Sequence, residues 1–209
     1  MTKKASIRKR FFAWTLKKSD AINQQIYGSY KKELFQDIKG RVVEIGPGAG
    51  VNFNYLPAGI EWIGIEPNLA FHEILLAKAR QRGIDARVIP SDSFPIPLED
   101  AVADVVICTL VLCSVKNPAQ MIHELKRLLK SNGKLIFIEH VAADKSSGLL
   151  KAQNILNPLN RLYADGCNCN RETWIDLQQA GFSHLQLSHY DIKGGLVLHK
   201  PHIVGYAIK

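Results

Sequence analysis

A buried strand that runs into a glycine-rich turn constrains this chain more than any other feature. Residues 42–45 read Val-Val-Glu-Ile, and residues 46–50 follow at once as Gly-Pro-Gly-Ala-Gly. Glycines permit a tight turn and let backbone N–H groups approach a bound group closely. A strand of this kind followed by a glycine turn predicts the first unit of an open α/β sheet.

A second acid stands twenty residues after Gly46. Glu66 ends the apolar run 62–65, and a carboxylate at the end of a second strand can accept hydrogen bonds from ribose hydroxyls. The loop has a leading acid, Glu44, but no third glycine at the spacing typical of dinucleotide sites. A nucleotide-type cofactor without a pyrophosphate, such as S-adenosylmethionine (SAM), therefore fits better than NAD.

Strands and helices alternate along most of the chain. The pattern predicts strands at 41–46, 61–66, 86–90, 104–109 and 134–140, and helices at about 50–56, 68–82, 117–130 and 171–180. Two further strands, 182–190 and 202–208, flank a turn at Gly194-Gly195 and predict an antiparallel hairpin. We therefore expect an α/β fold with a seven-stranded, mostly parallel sheet, an antiparallel C-terminal strand, and helices on both faces.

Length and cysteine usage narrow the class of protein. A chain of 209 residues suits one α/β domain, and no apolar run approaches the ~20 residues that span a bilayer. A secretory signal is not apparent, and two of the four cysteines lie in an apolar, strand-like segment. We expect a cytoplasmic protein without a disulfide framework. The pair Cys167 and Cys169 is a weak zinc signal, so we expect no metal.

The basic excess lies almost entirely before the first strand. Residues 1–40 hold ten Lys and Arg against three Asp and Glu, whereas residues 41–209 hold seventeen against sixteen. In a helical region at about 5–38, Ile7, Phe11 and Trp14 would form an apolar stripe among basic residues. We divide the chain into a basic helical segment, 1–40, and a catalytic-type domain, 41–209. The segment is a lid over the site, a surface whose residues 1–20 contact a membrane, or both; the alternative is a helix that only packs its aromatic stripe on the domain. Nucleic acid is not expected.

The motifs of the 41–209 region together resemble those of class I SAM-dependent methyltransferases. Residues 44–50 (EIGPGAG) resemble the first family motif, 65–68 (IEPN) the second, 91–95 the adenine-binding segment, and 104–110 the fourth strand. The resemblance implies SAM as cofactor and S-adenosylhomocysteine as product. It also implies ten cofactor-binding residues: Glu44, Gly46, Gly48, Gly50, Glu66, Pro67, Asp92, Ser93, Thr109 and Leu110.

The resemblance assigns these residues different tasks. Glu66 is expected on the ribose hydroxyls, and Asp92 near the adenine amino group with backbone contact from Ser93. Glu44 either orients the glycine loop or the SAM amino group, or acts only as a capping acid. Leu110 lies either near the transferring methyl group or in the core.

A closer resemblance is carried by four strings: CTLVLCSV (108–115), IEHV (138–141), RETW (171–174) and PHIVGYAIK (201–209). They are similar to the mammalian methyltransferase-like 7 proteins, membrane-associated enzymes that methylate alkyl thiols. This chain differs at Asn168-Cys169-Asn170, and it has a basic amphipathic segment where those proteins carry a long apolar N-terminal anchor. The resemblance implies methyl transfer to a small or lipophilic acceptor, with an alkyl thiol as the first choice.

His140 and Asp165 are the candidate catalytic residues. His140 ends a predicted strand, where open α/β sheets bind their ligands, and imidazole suits acid–base work. Its alternative task is to shape the pocket through hydrogen bonds; Asp165 lies in the loop before the last helix. Three other functions stay open: methylation of a lipid headgroup amine or hydroxyl of the phosphatidylethanolamine type, a non-enzymatic SAM-binding module, and an NAD-linked enzyme.

Overall fold

The computed structural model describes residues 20–92, 94–164, 166–193 and 196–209, with side chains from residue 23 onward. The amphipathic stripe of the N-terminal segment, Ser93, Asp165 and the Gly194-Gly195 turn lie outside the described residues. These residues contain five α-helices, namely α1 (Asp20–Phe35), α2 (His72–Gln81), α3 (Pro118–Leu128), α4 (Gly148–Tyr163) and α5 (Thr173–Gln179). Seven strands are β1 (Arg41–Ile45), β2 (Glu61–Ile65), β3 (Asp85–Ile89), β4 (Ala103–Thr109), β5 (Leu129–His140), β6 (His184–Asp191) and β7 (Pro201–Ile208).

The seven strands form one sheet in the order β3-β2-β1-β4-β5-β7-β6. β1 to β5 pair in parallel, and β7 lies antiparallel between β5 and β6. The register of β5 with β7 sets His140 opposite His202. The predicted mostly parallel sheet and the terminal antiparallel hairpin are confirmed.

Apolar residues bury both faces of the sheet. Adjacent positions on a strand point to opposite faces, so Val43 packs with α3 and α5 while Val42 packs with α1 and α2. The central strands β1 and β4 are almost continuously apolar, as parallel strands covered on both faces require. The edge strand β6 alternates between exposed and half-buried residues, which matches the alternation in its sequence.

Two segments differ from the sequence prediction. The expected helix at 50–56 is only a 3₁₀ turn, Val51–Asn54, because Gly50 adopts a left-handed φ of 73° and the chain is drawn into the core at Phe53. No element was predicted between β5 and α5, yet α4 occupies residues 148–163. Ser147 caps it by accepting a hydrogen bond from Leu150 N, and Pro158 lies inside it.

α4 is tied to the end of the sheet by one buried amide. Gln153 accepts a hydrogen bond from Ala143 N at 2.8 Å. It donates to the carbonyls of Cys169 at 2.8 Å and Leu198 at 2.9 Å. α4 therefore lies beside the point where β5 ends and β7 begins. Among the described helices, none is both long and apolar enough to cross a membrane.

Candidate functional site

A cavity of about 560 Å³ opens at the carboxyl ends of the parallel strands. It lies where the strand order reverses, between β1 and β4, which is the usual ligand site of open α/β sheets. Its volume is typical of small-molecule sites. The strand order gives the cavity two ends. Loops after β1, β2 and β3 line the first end, and loops after β4 and β5 line the second end.

The glycine turn forms the floor of the first end. Gly46 and Gly48 line the cavity with φ angles of 59° and 54°, which side chains rarely adopt. A Cβ atom at Gly46 would lie 2.9 Å from Val111 Cγ2. Gly50 also has a left-handed φ but faces Leu75 and Phe53, away from the cavity. The turn thus exposes bare backbone to a ligand at two of its three glycines.

Glu66 joins this turn to the end of β2. Its Oε2 accepts a hydrogen bond from Gly48 N at 3.0 Å, and its Oε1 accepts one from Asn68 N at 2.7 Å. His72 Nε2 donates to the Glu66 carbonyl at 2.7 Å. The side chain is buried yet lines the cavity. These contacts fix the carboxylate at the end of β2, where a charged acceptor suits the hydroxyls of a ribose diol.

Glu44 lies behind the cavity wall instead of in it. Its carboxylate accepts hydrogen bonds from Asn52 Nδ2 at 2.8 Å and Trp62 Nε1 at 2.9 Å. Burial raises the pKa of Glu44. Its neighbour Asn52 does line the cavity and also donates to Thr109 Oγ1 at 3.1 Å. Glu44 therefore reaches the cavity only through Asn52, a residue that no motif in the sequence marks.

Asn52 Oδ1 supplies a direct test of whether SAM fits this end. The oxygen is buried and has no hydrogen-bond partner among the described residues. A buried acceptor without a partner costs free energy, so it fits a ligand that brings a donor, such as an ammonium group. With the glycine floor and the Glu66 carboxylate, it makes a cradle of the size and polarity that SAM requires.

Apart from Ser93, which lies outside the described residues, the remaining predicted cofactor residues also line the cavity. Pro67 and Asp92 line the cavity, as do Thr109 and Leu110. Leu110 has a φ of 58°, and its N–H donates to the Ile138 carbonyl at 2.8 Å. This turn at the end of β4 brings Leu110 between the two ends of the cavity.

At the second end, His140 lies beside two thiols. Its Nδ1 is 3.7 Å from Cys113 Sγ and 3.6 Å from Cys167 Sγ. The rings of His199 and His202 lie 4.6 Å from its own, centroid to centroid. Burial, together with the neighbouring His202 and His199, holds the pKa of His140 well below its usual value. The imidazole is therefore neutral at neutral pH.

Hydrogen bonds with polar side chains next to the cavity hold the backbone of its second end in place. The Glu139 carboxylate accepts hydrogen bonds from the backbone N–H groups of Val111, Leu112 and Cys113 at 2.9, 3.0 and 3.2 Å. Burial raises the pKa of Glu139 to about 7, although these donors lower it. Arg171 Nη1 donates to the Leu112 carbonyl at 2.7 Å. The turn after β4 is thereby held against β5.

The hydrogen-bond partners of His199 and His202, the two histidines next to His140, determine their tautomers. His202 Nδ1 lies 3.0 Å from the Lys200 carbonyl, so it carries the proton and Nε2 accepts from Tyr27 Oη at 2.8 Å. His199 Nε2 donates to Asn160 Oδ1 at 2.7 Å, because the Asn160 amide nitrogen is engaged with the Cys167 carbonyl. Tyr27 belongs to α1, so this helix is connected to the second end.

Sequence spacing suggested Cys167 and Cys169 as a pair, but the structure separates them. Cys169 Sγ is buried and donates to Asn157 Oδ1 at 3.8 Å. Cys167 instead faces Cys113, which is far from it in sequence.

Comparison with known proteins agrees with this geometry. A family model described as "Methyltransferase domain" matches residues 43–137. The human thiol S-methyltransferase TMT1A is 36% identical, over 97% of this chain and 88% of its own length. The Rattus norvegicus thiol S-methyltransferase TMT1B is 35% identical over the same shares. A SAM-dependent methyltransferase from Thermotoga maritima superposes with a TM-score of 0.66 at 22% identity, covering 96% of this chain and 97% of that one.

Proposed function

This chain belongs to the family of SAM-dependent thiol S-methyltransferases, and on that premise we propose that it methylates the sulfur of a small lipophilic thiol. It is a SAM-dependent methyltransferase with the class I fold. Bound SAM supplies a methyl group already activated on a sulfonium. The protein's own work is therefore to align donor and acceptor and to exclude water.

The first end of the cavity binds the cofactor in this proposal. Glu66 accepts hydrogen bonds from the ribose hydroxyls, and Asp92 contacts the adenine amino group. The backbone of Gly46 and Gly48 lies along the methionine part, and Asn52 Oδ1 accepts from its amino group. The support is the fixed carboxylate of Glu66 and the unsatisfied acceptor of Asn52.

The second end receives the acceptor, and its lining is the observation that carries the thiol assignment. Cys113, His140 and Cys167 line a mostly apolar cavity, whose other lining residues include Val111, Val115 and Met121. Such a wall suits an alkyl chain that ends in a soft, polarisable sulfur. A neutral His140 can accept a hydrogen bond from the thiol. Asp165, the second candidate catalytic residue, lies outside the described residues and stays a prediction.

Transfer of a labelled methyl group tests this proposal. Wild-type protein incubated with methyl-labelled SAM and an alkyl thiol is expected to give labelled thioether. Glu66→Ala should give none at the same SAM concentration. Label in neither reaction, while the wild type binds SAM with normal affinity, would favour a SAM-binding module without turnover.

A second candidate, contact with a membrane surface, is favoured by the outer face of α4. Ile155, Leu159 and Leu162 follow one another at helical spacing and are 76, 57 and 58% exposed. Neighbouring Tyr163 is 81% exposed. Exposed apolar stripes mark surfaces that meet lipid or protein, and this one lies beside the acceptor end. Peripheral contact would give lipophilic acceptors direct access.

Binding to liposomes of phosphatidylethanolamine and anionic lipid tests this contact. The double exchange Ile155→Glu and Leu159→Glu should reduce cosedimentation at least about tenfold. Gln186→Glu and Ser188→Glu on the exposed edge of β6 add the same charge and should change it little. Removal of residues 1–20 should weaken binding further. Label from SAM appearing in the phosphatidylethanolamine would instead support headgroup methylation.

A further inference from the structure

We propose that Cys113, Cys167 and His140 bind a zinc ion whose fourth coordination position faces the acceptor end of the cavity. Two thiolates and an imidazole with one open position are a known ligand set of catalytic zinc sites. The three donor atoms lie within 4.8 Å of one another. The binding of zinc stands on this geometry alone, whereas its role toward a thiol rests on the proposed function.

The distances agree with tetrahedral coordination. Zn–S bonds of about 2.3 Å and Zn–N bonds of about 2.0 Å hold sulfur and nitrogen about 3.5 Å apart at a tetrahedral angle. The observed separations of His140 Nδ1 from the two sulfurs are 3.7 and 3.6 Å. Small movements of the side chains are therefore enough to accept the ion.

Each donor is carried by a segment that other contacts hold in place. The Cys113 carbonyl accepts hydrogen bonds from Asn168 N at 2.8 Å and Asn168 Nδ2 at 3.2 Å. The Cys167 carbonyl accepts one from Asn160 Nδ2 at 2.8 Å. His140 is fixed by its pairing with His202 in β7. Three distant parts of the chain thus converge with little freedom, which favours a metal site.

The open position has access to the substrate. All three residues line the cavity, next to Leu110 and Val115. Zinc favours thiolate ligands, and a thiol that coordinates it loses its proton. An acceptor thiol that entered here would therefore be bound through its sulfur and oriented toward the cofactor end.

The step balances without an oxidant or reductant. The S–H bond of the acceptor breaks, a zinc–sulfur bond forms, and the proton passes to solvent water. The sulfur electron pair then forms the new bond to the methyl carbon as the bond from that carbon to the donor sulfur breaks. The neutral thioether is a weaker ligand than the thiolate and leaves. In this scheme His140 is a metal ligand and not the base that the sequence suggested.

Metal content and a cobalt spectrum test the site independently of activity. Protein purified without chelators should contain one zinc per chain by plasma mass spectrometry. Replacement by Co²⁺ should give the intense visible bands of tetrahedral cobalt and a thiolate charge-transfer band. Cys113→Ser and Cys167→Ser should each weaken metal binding by more than about 100-fold. Cys169→Ser is the matched control and should retain the metal.

The outcomes separate the two proposals. Reduced wild-type protein that takes up neither metal, or a Cys169→Ser variant that loses it while Cys113→Ser keeps it, overturns the site. Calorimetry with S-adenosylhomocysteine checks that each variant is folded. Thiol methylation unchanged after verified metal removal overturns the role of zinc and leaves the proposed function standing. A bound metal without any labelled thioether would leave the site standing and overturn the thiol assignment.

Discussion

Glu66 has two tasks at the residue scale, one structural and one for the ligand. Its carboxylate accepts hydrogen bonds from Gly48 N and Asn68 N and lies in the lining of the cavity. Glu66→Ala removes charge-assisted hydrogen bonds worth about 3 kcal/mol together, so SAM affinity should fall by at least about 100-fold in titration calorimetry.

Glu61 provides the matched control for the Glu66→Ala substitution. It lies at the start of β2, the strand that Glu66 follows, and pairs with Arg41 at 2.7 Å, with both side chains 40% exposed. Exposed pairs of this kind contribute less than about 1 kcal/mol. Glu61→Ala should leave SAM affinity unchanged, and a loss equal to that of Glu66→Ala would contradict a direct contact between Glu66 and the cofactor.

Glu124 supports the wall of the cavity from outside and gives a pH-dependent prediction. It accepts from Ile96 N at 2.7 Å, and Arg127 donates to both of its carboxylate oxygens. The hydrogen bonds from Arg127 lower the pKa of Glu124. The carboxylate therefore stabilises the fold above its unfolded-state pKa of about 4.3, and this contribution is lost as pH falls through the folded-state pKa.

Denaturant unfolding of Glu124→Gln measures this effect. At pH 7 the free energy of unfolding should fall by about 2 kcal/mol, because a charged hydrogen-bond acceptor is lost. The difference from the wild type should shrink as the pH drops below about 4. A difference that stays constant over this range would show that the ionised form is not what stabilises the Ile96 loop.

Local spacing decides which site residues the sequence could predict. The glycines and Glu66 belong to one strand–turn–strand unit, so a short pattern fixes their neighbourhood. Asn52 acts through Glu44 and Thr109, and Glu139 acts through the turn after β4; no local pattern marks either residue. Cys113 and Cys167 come together only because the segment after α4 folds back onto the turn after β4, which a single sequence does not reveal.

The glycine turn after β1 has to leave room for the cofactor beside its backbone. Gly46→Ala introduces a Cβ at a left-handed φ and 2.9 Å from Val111 Cγ2, on the surface that lines the cavity. SAM affinity should fall by more than about tenfold, and thermal stability should fall as well.

Gly59→Ala separates the effect of a left-handed φ from the effect of a side chain that crowds the cavity. Gly59 has a φ of 78° but nothing within 4 Å of an added Cβ. This exchange should cost about 1 kcal/mol of stability from the backbone alone and leave SAM binding intact. An equal loss of SAM affinity in the two variants would show that strain of the left-handed backbone, and not close approach of the cofactor to Gly46, causes the loss.

Elements with strong periodicity were predictable and irregular ones were not. The five parallel strands are dense in β-branched residues, and their positions are confirmed to within a residue or two except at the long start of β5. α4 was not predicted although Ile155, Leu159 and Leu162 recur at helical spacing, because a proline such as Pro158 disfavours a helix interior; these apolar residues face outward instead of packing on the core. The insertion of β7 between β5 and β6 depends on tertiary pairing that spacing does not encode.

At the scale of the whole molecule, α1 connects both ends of the site. Its residues Asn23 and Lys31 line the cavity, and Tyr27 donates to His202 behind the acceptor end. A helix in this position is able to act as a lid, as the N-terminal segment was predicted to do. Binding of the product S-adenosylhomocysteine should therefore slow amide hydrogen exchange in residues 23–35.

α5 is the internal reference for the amide hydrogen-exchange experiment. This helix packs on α3 and β6, away from the cavity, and its exchange should not change. Unchanged exchange in α1 on ligand binding, or an equal change in α5, would contradict a lid that closes on the site.

Discrimination between acceptors tests whether this cavity moves a methyl group from SAM to a thiol sulfur. We would compare kcat/KM for an alkyl thiol, amine and alcohol of equal chain length at saturating SAM. We expect the thiol to exceed both others by at least about 100-fold, since only sulfur matches the soft lining at Cys113, His140 and Cys167. Equal rates for the three acceptors, or methylation of the amine or alcohol alone, would contradict it.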